Sequence, residues 1–97
     1  MPEISVILPV YNGEKTIRET IDSLLKQSFS NFELIICIDS TNDQSEDIVR
    51  SFNETRIHLI KNESNLGLGR TLNRLISFSN DHSKYIAMAE QDDYYYP

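Results

Sequence analysis

The chain of 97 residues is 39% hydrophobic and 25% charged, a composition typical of one small globular domain and unlike that of disordered chains. Nine Lys and Arg against fifteen Asp and Glu give a formal net charge of −6, which disfavours nonspecific binding to nucleic acid or anionic lipid. No apolar run approaches the roughly 18 residues that span a bilayer, so we expect neither a membrane span nor a signal peptide in this segment.

The first predicted elements are a strand and a helix. The apolar, β-branched run Ile4–Leu8 indicates a buried strand, which we expect Pro9 and the turn signal Asn12-Gly13 to end. Over Glu14–Gln27 the apolar residues recur at helical spacing and share one face. The sequence therefore begins with a β-α unit.

The alternation continues along the chain. Strands are predicted over Phe32–Ile38, Arg56–Ile60 and Tyr85–Ala89, with helices over Asp43–Phe52 and around Leu68–Ile76. The only cysteine, Cys37, lies inside the second strand and is expected to be a buried thiol, consistent with a reducing compartment. The order β-α-β-α-β-α-β predicts an α/β fold: a Rossmann-like parallel sheet, with expected strand order 3-2-1-4 and helices on both faces.

Polar segments follow three of the predicted strands. Ligands of such sheets bind beyond the carboxyl ends of the strands, so these segments form a candidate site at one edge. They are Pro9–Gly13, Asp39–Asp43 and Glu90–Asp93. The last of them is rich in carboxylates, the ligands that Mg²⁺ and Mn²⁺ prefer when they bridge a protein to phosphates. A solvated acidic loop is the open alternative.

Two other phosphate-binding patterns fit poorly. Asn12–Thr16 is similar to a P-loop, but Glu14 separates the glycine from the lysine and would repel a phosphate. Gly67–Leu72 supplies two of the three glycines of a dinucleotide fingerprint, does not follow the first strand, and has Leu72 where the third glycine belongs. A helix start with permissive glycines explains that segment better.

Several motifs in order resemble those of the inverting nucleotide-sugar glycosyltransferases of family 2, which have the GT-A fold. The matching segments are SVILPVYNG (5–13), LLKQSF (24–29), FELIICIDSTND (32–43), NLGL (65–68), LN (72–73), and YIA (85–87) through DD (92–93) to Pro97. The resemblance covers essentially all 97 residues. It implies the nucleotide-sugar-binding half of a GT-A domain, with the acceptor-binding half and its catalytic base beyond Pro97, so no catalytic residue is assigned in residues 1–97.

The resemblance also implies nucleotide-binding roles. Tyr11 would stack on the base, for which its flat ring is suited, and Pro9 and Asn12 of the same loop are also predicted to bind the nucleotide. Asp39 would accept a hydrogen bond from a base N–H; uracil offers such a donor, which favours a UDP-sugar. Local packing of Tyr11 and a turn or cap role for Asp39 remain open alternatives. Independently of the resemblance, the position of Arg70 near the start of the third helix suggests that it helps to neutralise a diphosphate; a solvated surface arginine is the open alternative.

The metal motif falls on the acidic cluster near the end of the sequence. By resemblance Asp92 belongs to the ribose or metal shell, Asp93 binds the metal directly, and Glu90 replaces the usual first aspartate with one extra methylene. The implied cofactor is Mn²⁺ or Mg²⁺. A second departure is Ile38, which replaces the first aspartate of the base-binding pair and is expected to remove a polar contact.

The function implied is metal-dependent transfer of a sugar, from a nucleoside diphosphate donor, to an acceptor hydroxyl in bacterial-type polysaccharide or glycan synthesis. The expected partners are a UDP-sugar and a glycan or lipid-linked acceptor; the expected location is the cytoplasm, with attachment to the inner membrane face left open. The chain by itself is expected to bind the nucleotide without transferring sugar. A noncatalytic module that binds a nucleotide or a protein is the alternative.

Overall fold

The computed structural model describes residues 4–27, 31–39, 43–79 and 85–90. The elements follow the predicted order of alternating strands and helices. They are β1 (Ile4–Val10), α1 (Ile17–Leu25), β2 (Phe32–Ile38), α2 (Ser45–Ser51), β3 (Ile57–Lys61), α3 (Gly67–Ser79) and β4 (Tyr85–Met88).

The four strands form one parallel sheet in the order β3-β2-β1-β4, which confirms the predicted fold class and strand order. At the centre of the sheet Ile7 lies between Ile35 of β2 and Met88 of β4. Such an order places the two most apolar strands, β1 and β2, inside the sheet, where both faces are covered.

Several predicted bounds differ from the structure, and two of the differences affect the segment that follows β1. β1 continues through Pro9 to Val10. Pro9 lacks an N–H on the side of β1 that faces β4, but pairing with β4 ends at Ile7, so no hydrogen bond of the sheet is lost at Pro9. α1 begins at Ile17 and not at Glu14, since residues 14–16 form a turn in which Gly13 accepts backbone hydrogen bonds at 3.1 and 2.8 Å. Both differences lengthen or reshape the segment that follows β1.

The helices cover both faces of the sheet. On one face α1 and α2 enclose the larger apolar cluster, whose fully buried members include Leu8, Ile17 and Leu34. On the other face α3 packs on β1 and β2 through Leu75, which contacts a smaller cluster with Ile7, Ile35 and Cys37. Within the described residues, no helix is long and apolar enough to cross a membrane.

Candidate functional site

A cavity of about 630 Å³ lies at the carboxyl ends of β1, β2 and β4, against the first turns of α3. Four predicted site residues line it: Pro9, Tyr11, Asp39 and Glu90. The rest of its lining is Val10, Asn65, Gly67, Leu68, Thr71, Leu72, Met88 and Ala89. The cavity therefore offers a mostly apolar wall with carboxylates at two strand ends.

The remaining predicted residues lie elsewhere. Asn12 and Arg70 are exposed and do not line the cavity, so their roles stay predictions. Asp92 and Asp93 lie outside the described residues. Among residues 4–27, 31–39, 43–79 and 85–90, no three acidic, His or Cys side chains form a group that could hold a metal ion. Of the predicted metal ligands, Glu90 is the one that lies within the described residues, and it places a hard carboxylate oxygen on the cavity wall, which suits the predicted cation.

Asp39 is buried, with 4% of its surface exposed, and its carboxylate joins the end of β2 to the start of α3. Oδ1 accepts hydrogen bonds from Asn62 Nδ2 at 3.0 Å and from the backbone N–H of Leu66 at 2.8 Å. Oδ2 accepts one from the backbone N–H of Gly67 at 2.8 Å. The carboxylate thus satisfies N–H groups at a helix N-terminus, where negative charge is favourable.

Asn62 extends this network beneath the cavity, and sequence reasoning missed it. Its Nδ2 also donates to Thr71 Oγ1 at 2.9 Å, while its Oδ1 accepts from Arg74 Nη1 at 2.6 Å and from Cys37 Sγ at 3.5 Å. A signal existed, because Asn62 is the polar residue directly after β3 and reaches the same sheet edge as the other candidate segments.

The loop that carries Tyr11 is fastened to the N-terminus of α2. Gly13 N–H donates to Ser45 Oγ at 3.1 Å, and Glu14 N–H donates to Asp43 Oδ2 at 3.1 Å. Asp43 Oδ1 also accepts from the backbone N–H of Ser45 at 3.0 Å. Asn12 takes a left-handed backbone conformation with φ 50°, which Asn adopts more readily than most residues. These contacts hold Tyr11, 48% exposed, at the rim of the cavity.

Ile38 and Cys37 both face the interior. Ile38 belongs to the apolar cluster under α1 and α2 and does not line the cavity, whereas the next residue, Asp39, does. The expectation that Ile38 removes a polar contact with the nucleotide therefore has no support in the cavity lining. Cys37 is buried, as predicted, and burial raises the pKa of its thiol. The nearby Arg74 guanidinium opposes that rise in the Cys37 pKa.

Comparison with known proteins places this geometry in a family. Residues 5–97 match the model of Glycosyl transferase family 2. An uncharacterized glycosyltransferase of Rickettsia prowazekii is 40% identical over 96 residues, and the match covers 99% of this chain and 29% of the relative. The Escherichia coli UDP-Glc:alpha-D-GlcNAc-diphosphoundecaprenol beta-1,3-glucosyltransferase WfgD is 36% identical over 90 residues, covering 93% of this chain and 35% of WfgD.

A solved structure shows the same arrangement of strands and helices. The crystal structure of S. aureus TarS 1-349 in complex with UDP-GlcNAc matches with a TM-score of 0.86 and 31% identity, covering 95% of this chain and 27% of TarS 1-349. The chain thus spans about a third of the length of the relatives it matches. Because the family model extends over nearly all of its residues, and the parallel sheet is that of the GT-A fold, the chain belongs to glycosyl transferase family 2.

Proposed function

We propose that the cavity at the ends of β1, β2 and β4 binds a nucleoside diphosphate sugar, with UDP-sugars favoured. We further propose that residues 1–97 form the donor-binding half of an enzyme that transfers the sugar to the hydroxyl of a glycan or lipid-linked acceptor. The observation that carries the proposal is the placement of Tyr11, Asp39 and Glu90 around one cavity in a family 2 fold.

The base is proposed to lie between Tyr11 and Asp39. The Tyr11 ring at the cavity rim offers a flat, amphipathic surface of the kind on which bases stack. The Asp39 carboxylate receives N–H donors on both oxygens, and these contacts hold it in one orientation as a hydrogen-bond acceptor. An acceptor so held selects a base that presents an N–H, as uracil does at N3.

A diphosphate entering this site meets a protein of net charge −6, so its binding needs a cation. Glu90, with Asp92 and Asp93, would hold Mn²⁺ or Mg²⁺, which when bound supplies positive charge to the diphosphate oxygens and to the leaving group. Arg70, in the first turns of α3, is proposed to add a further positive charge toward the diphosphate.

The reaction proposed for the longer protein is an in-line displacement. The acceptor oxygen forms a bond to the anomeric carbon as the bond from that carbon to the diphosphate oxygen breaks, and the configuration inverts. A carboxylate base takes the hydroxyl proton. We assign none of the 97 residues to that role; their proposed share is to orient the donor so that its anomeric carbon faces the acceptor.

Two relatives support the choice of donor and acceptor. WfgD, by its name, transfers glucose from UDP-Glc to a GlcNAc-diphosphoundecaprenol acceptor. TarS forms a complex with UDP-GlcNAc. Both are similar to this chain over more than nine-tenths of its length, that is, over the proposed donor-binding half. A UDP-sugar and a lipid-linked glycan are therefore the first donor and acceptor to test.

Calorimetric titration of UDP in the presence of Mn²⁺ tests the donor site. We expect saturable binding that weakens about tenfold or more in Asp39→Asn, because the amide no longer offers two anionic oxygens. Asp22→Asn is the matched control, because it makes the same chemical change on the exposed face of α1. Among the ion pairs of the described residues, Asp22 takes part only in the one with Lys26. Absence of UDP binding in the wild type, or equal weakening in both variants, contradicts the proposal.

A further inference from the structure

Asn62 is a buried polar residue that does not line the cavity. Only 4% of its surface is exposed, and it lies between the end of β3 and the loop that leads into α3. Its side chain contacts β2, through Asp39 and Cys37, and α3, through Thr71 and Arg74. Such a residue can transmit its orientation to the cavity wall without contacting a ligand.

The contacts fix which way the Asn62 amide points. Both hydrogens of Nδ2 are used, on Asp39 Oδ1 at 3.0 Å and on Thr71 Oγ1 at 2.9 Å. Turning the amide over would set its oxygen against the Asp39 carboxylate and its NH₂ against the Arg74 guanidinium, which now donates to Oδ1 at 2.6 Å. The hydrogen bond to Asp39 would be replaced by an acceptor facing an acceptor, and the hydrogen bond from Arg74 by a donor facing a donor, so a single amide orientation is stable.

The same hydrogen bonds fix the orientation of Asp39. Asn62 and Leu66 N–H hold one carboxylate oxygen, and Gly67 N–H holds the other. Leu66 directly precedes α3, Gly67 is the first residue of α3, and Thr71 lies one turn further along the same helix. The Asn62 amide therefore connects the carboxylate to the helix that forms the opposite wall of the cavity.

We propose that Asn62 is a positioning residue that sets the base preference of the donor site. By donating one N–H to Asp39 Oδ1, it holds that carboxylate in one orientation as an acceptor toward bound nucleotide. The site then favours uracil, whose N3 carries a hydrogen, over cytosine, whose N3 is itself an acceptor. The inference depends on the proposed donor site and on the base contact of Asp39.

The test compares UDP and CDP binding, each with Mn²⁺, by calorimetry on the wild type and on Asn62→Asp. This variant keeps the shape and the acceptor facing Arg74, but it turns a carboxylate oxygen toward Asp39. We expect the dissociation constant for UDP to rise about tenfold while that for CDP changes by less than about twofold, because only UDP uses Asp39 as an acceptor.

Thr71→Val is a second variant, which leaves Asn62 in place but removes one acceptor from its amide. It is expected to lower the preference for UDP over CDP, as Asn62→Asp does, but by a smaller factor. Thr20→Val is its matched control: Thr20 is a buried helical threonine of α1, bonded to Thr16 O at 3.2 Å and absent from the cavity lining. The control is expected to keep the wild-type preference.

The outcomes separate the inference from the function on which it depends. A wild type that binds no UDP, or that binds UDP and CDP equally, overturns the proposed base site and the inference together. If the wild type prefers UDP and Asn62→Asp keeps the same preference, the inference alone is overturned. It is also overturned if Asn62→Asp binds UDP and CDP more weakly by the same factor, since that indicates a general loss of structure at the site. Where Asn62→Asp fails to fold by circular dichroism, an unchanged preference in Thr71→Val has the same meaning.

Discussion

Replacing Asp39 by Ala should destabilise the protein even without ligand, because the carboxylate is the junction between β2 and α3. The change removes the acceptor of three N–H groups, from Asn62, Leu66 and Gly67, at 2.8 to 3.0 Å. The Leu66 and Gly67 groups lie near the surface, where water can replace the lost partner, whereas Asn62 is 4% exposed and would keep an unpaired buried donor.

The size of the effect follows from these three contacts. A hydrogen bond to a charged group contributes about 1.5–3 kcal/mol, and an unpaired buried donor costs about 1–3 kcal/mol. With the two partly solvated backbone groups discounted, we expect Asp39→Ala to lower the free energy of unfolding by about 2–4 kcal/mol. That is a large share of the roughly 5–15 kcal/mol typical of a domain.

Urea unfolding followed by circular dichroism measures this loss. The free energy of unfolding of Asp39→Asn should lie between those of Asp39→Ala and the wild type, since the amide oxygen replaces one acceptor while its NH₂ faces another donor. Asp22→Ala is the control, because the exposed ion pair of Asp22 with Lys26, at 2.9 Å, is of a kind that contributes little. A loss below about 1 kcal/mol in Asp39→Ala, or one no larger than in Asp22→Ala, would refute the account of the junction.

Two further predictions concern stability at other positions. Gly67 has a left-handed φ of +83°, and no atom approaches a Cβ placed there, so Gly67→Ala should lower the free energy of unfolding by about 1–2 kcal/mol from backbone strain alone. Gly69→Ala, in the same helix and equally open, is the control and should be neutral or stabilising in urea unfolding. Hydrogen bonds from Lys61 and Arg50 lower the pKa of Glu46, so its stabilising effect is complete above its ordinary pKa of 4.5 and disappears below its lowered pKa. The unfolding midpoints of wild type and Glu46→Gln should therefore converge on acidification from about pH 7 to about pH 3; a constant gap contradicts this.

Much of the fold could be predicted because its signals are local. β2, which is apolar except for Glu33, is buried at every position, and apolar residues recur at helical spacing in the segments of α1 and α3. These two signals predicted the alternation of strands and helices. The end of β1 beyond Pro9 could not be predicted, because whether a proline ends a strand depends on which neighbouring strand its missing N–H would face. That neighbour is a property of the sheet and not of the segment.

The site divides in the same way. Pro9, Tyr11, Asp39 and Glu90 were predicted from strand ends and motif resemblance, and the structure places all four on one cavity. Asn62 was missed because its importance depends on contacts with residues 23 and 9 positions away along the chain. The contrast between Ile38 and Asp39 was likewise hidden, since adjacent strand residues face opposite sides of a sheet and the sequence does not say which side holds the cavity.

The central claim is that the cavity is a nucleotide site, and backbone amide chemical shifts of the ¹⁵N-labelled protein during titration with UDP and Mg²⁺ test it most directly. We predict shifts concentrated at the cavity, at Tyr11, Asp39, Gly67 and Glu90, with saturation as UDP is added. Residues of the opposite sheet edge, such as His58 and Leu59 of β3, should remain unchanged. No shifts, or shifts centred on β3, would contradict the account.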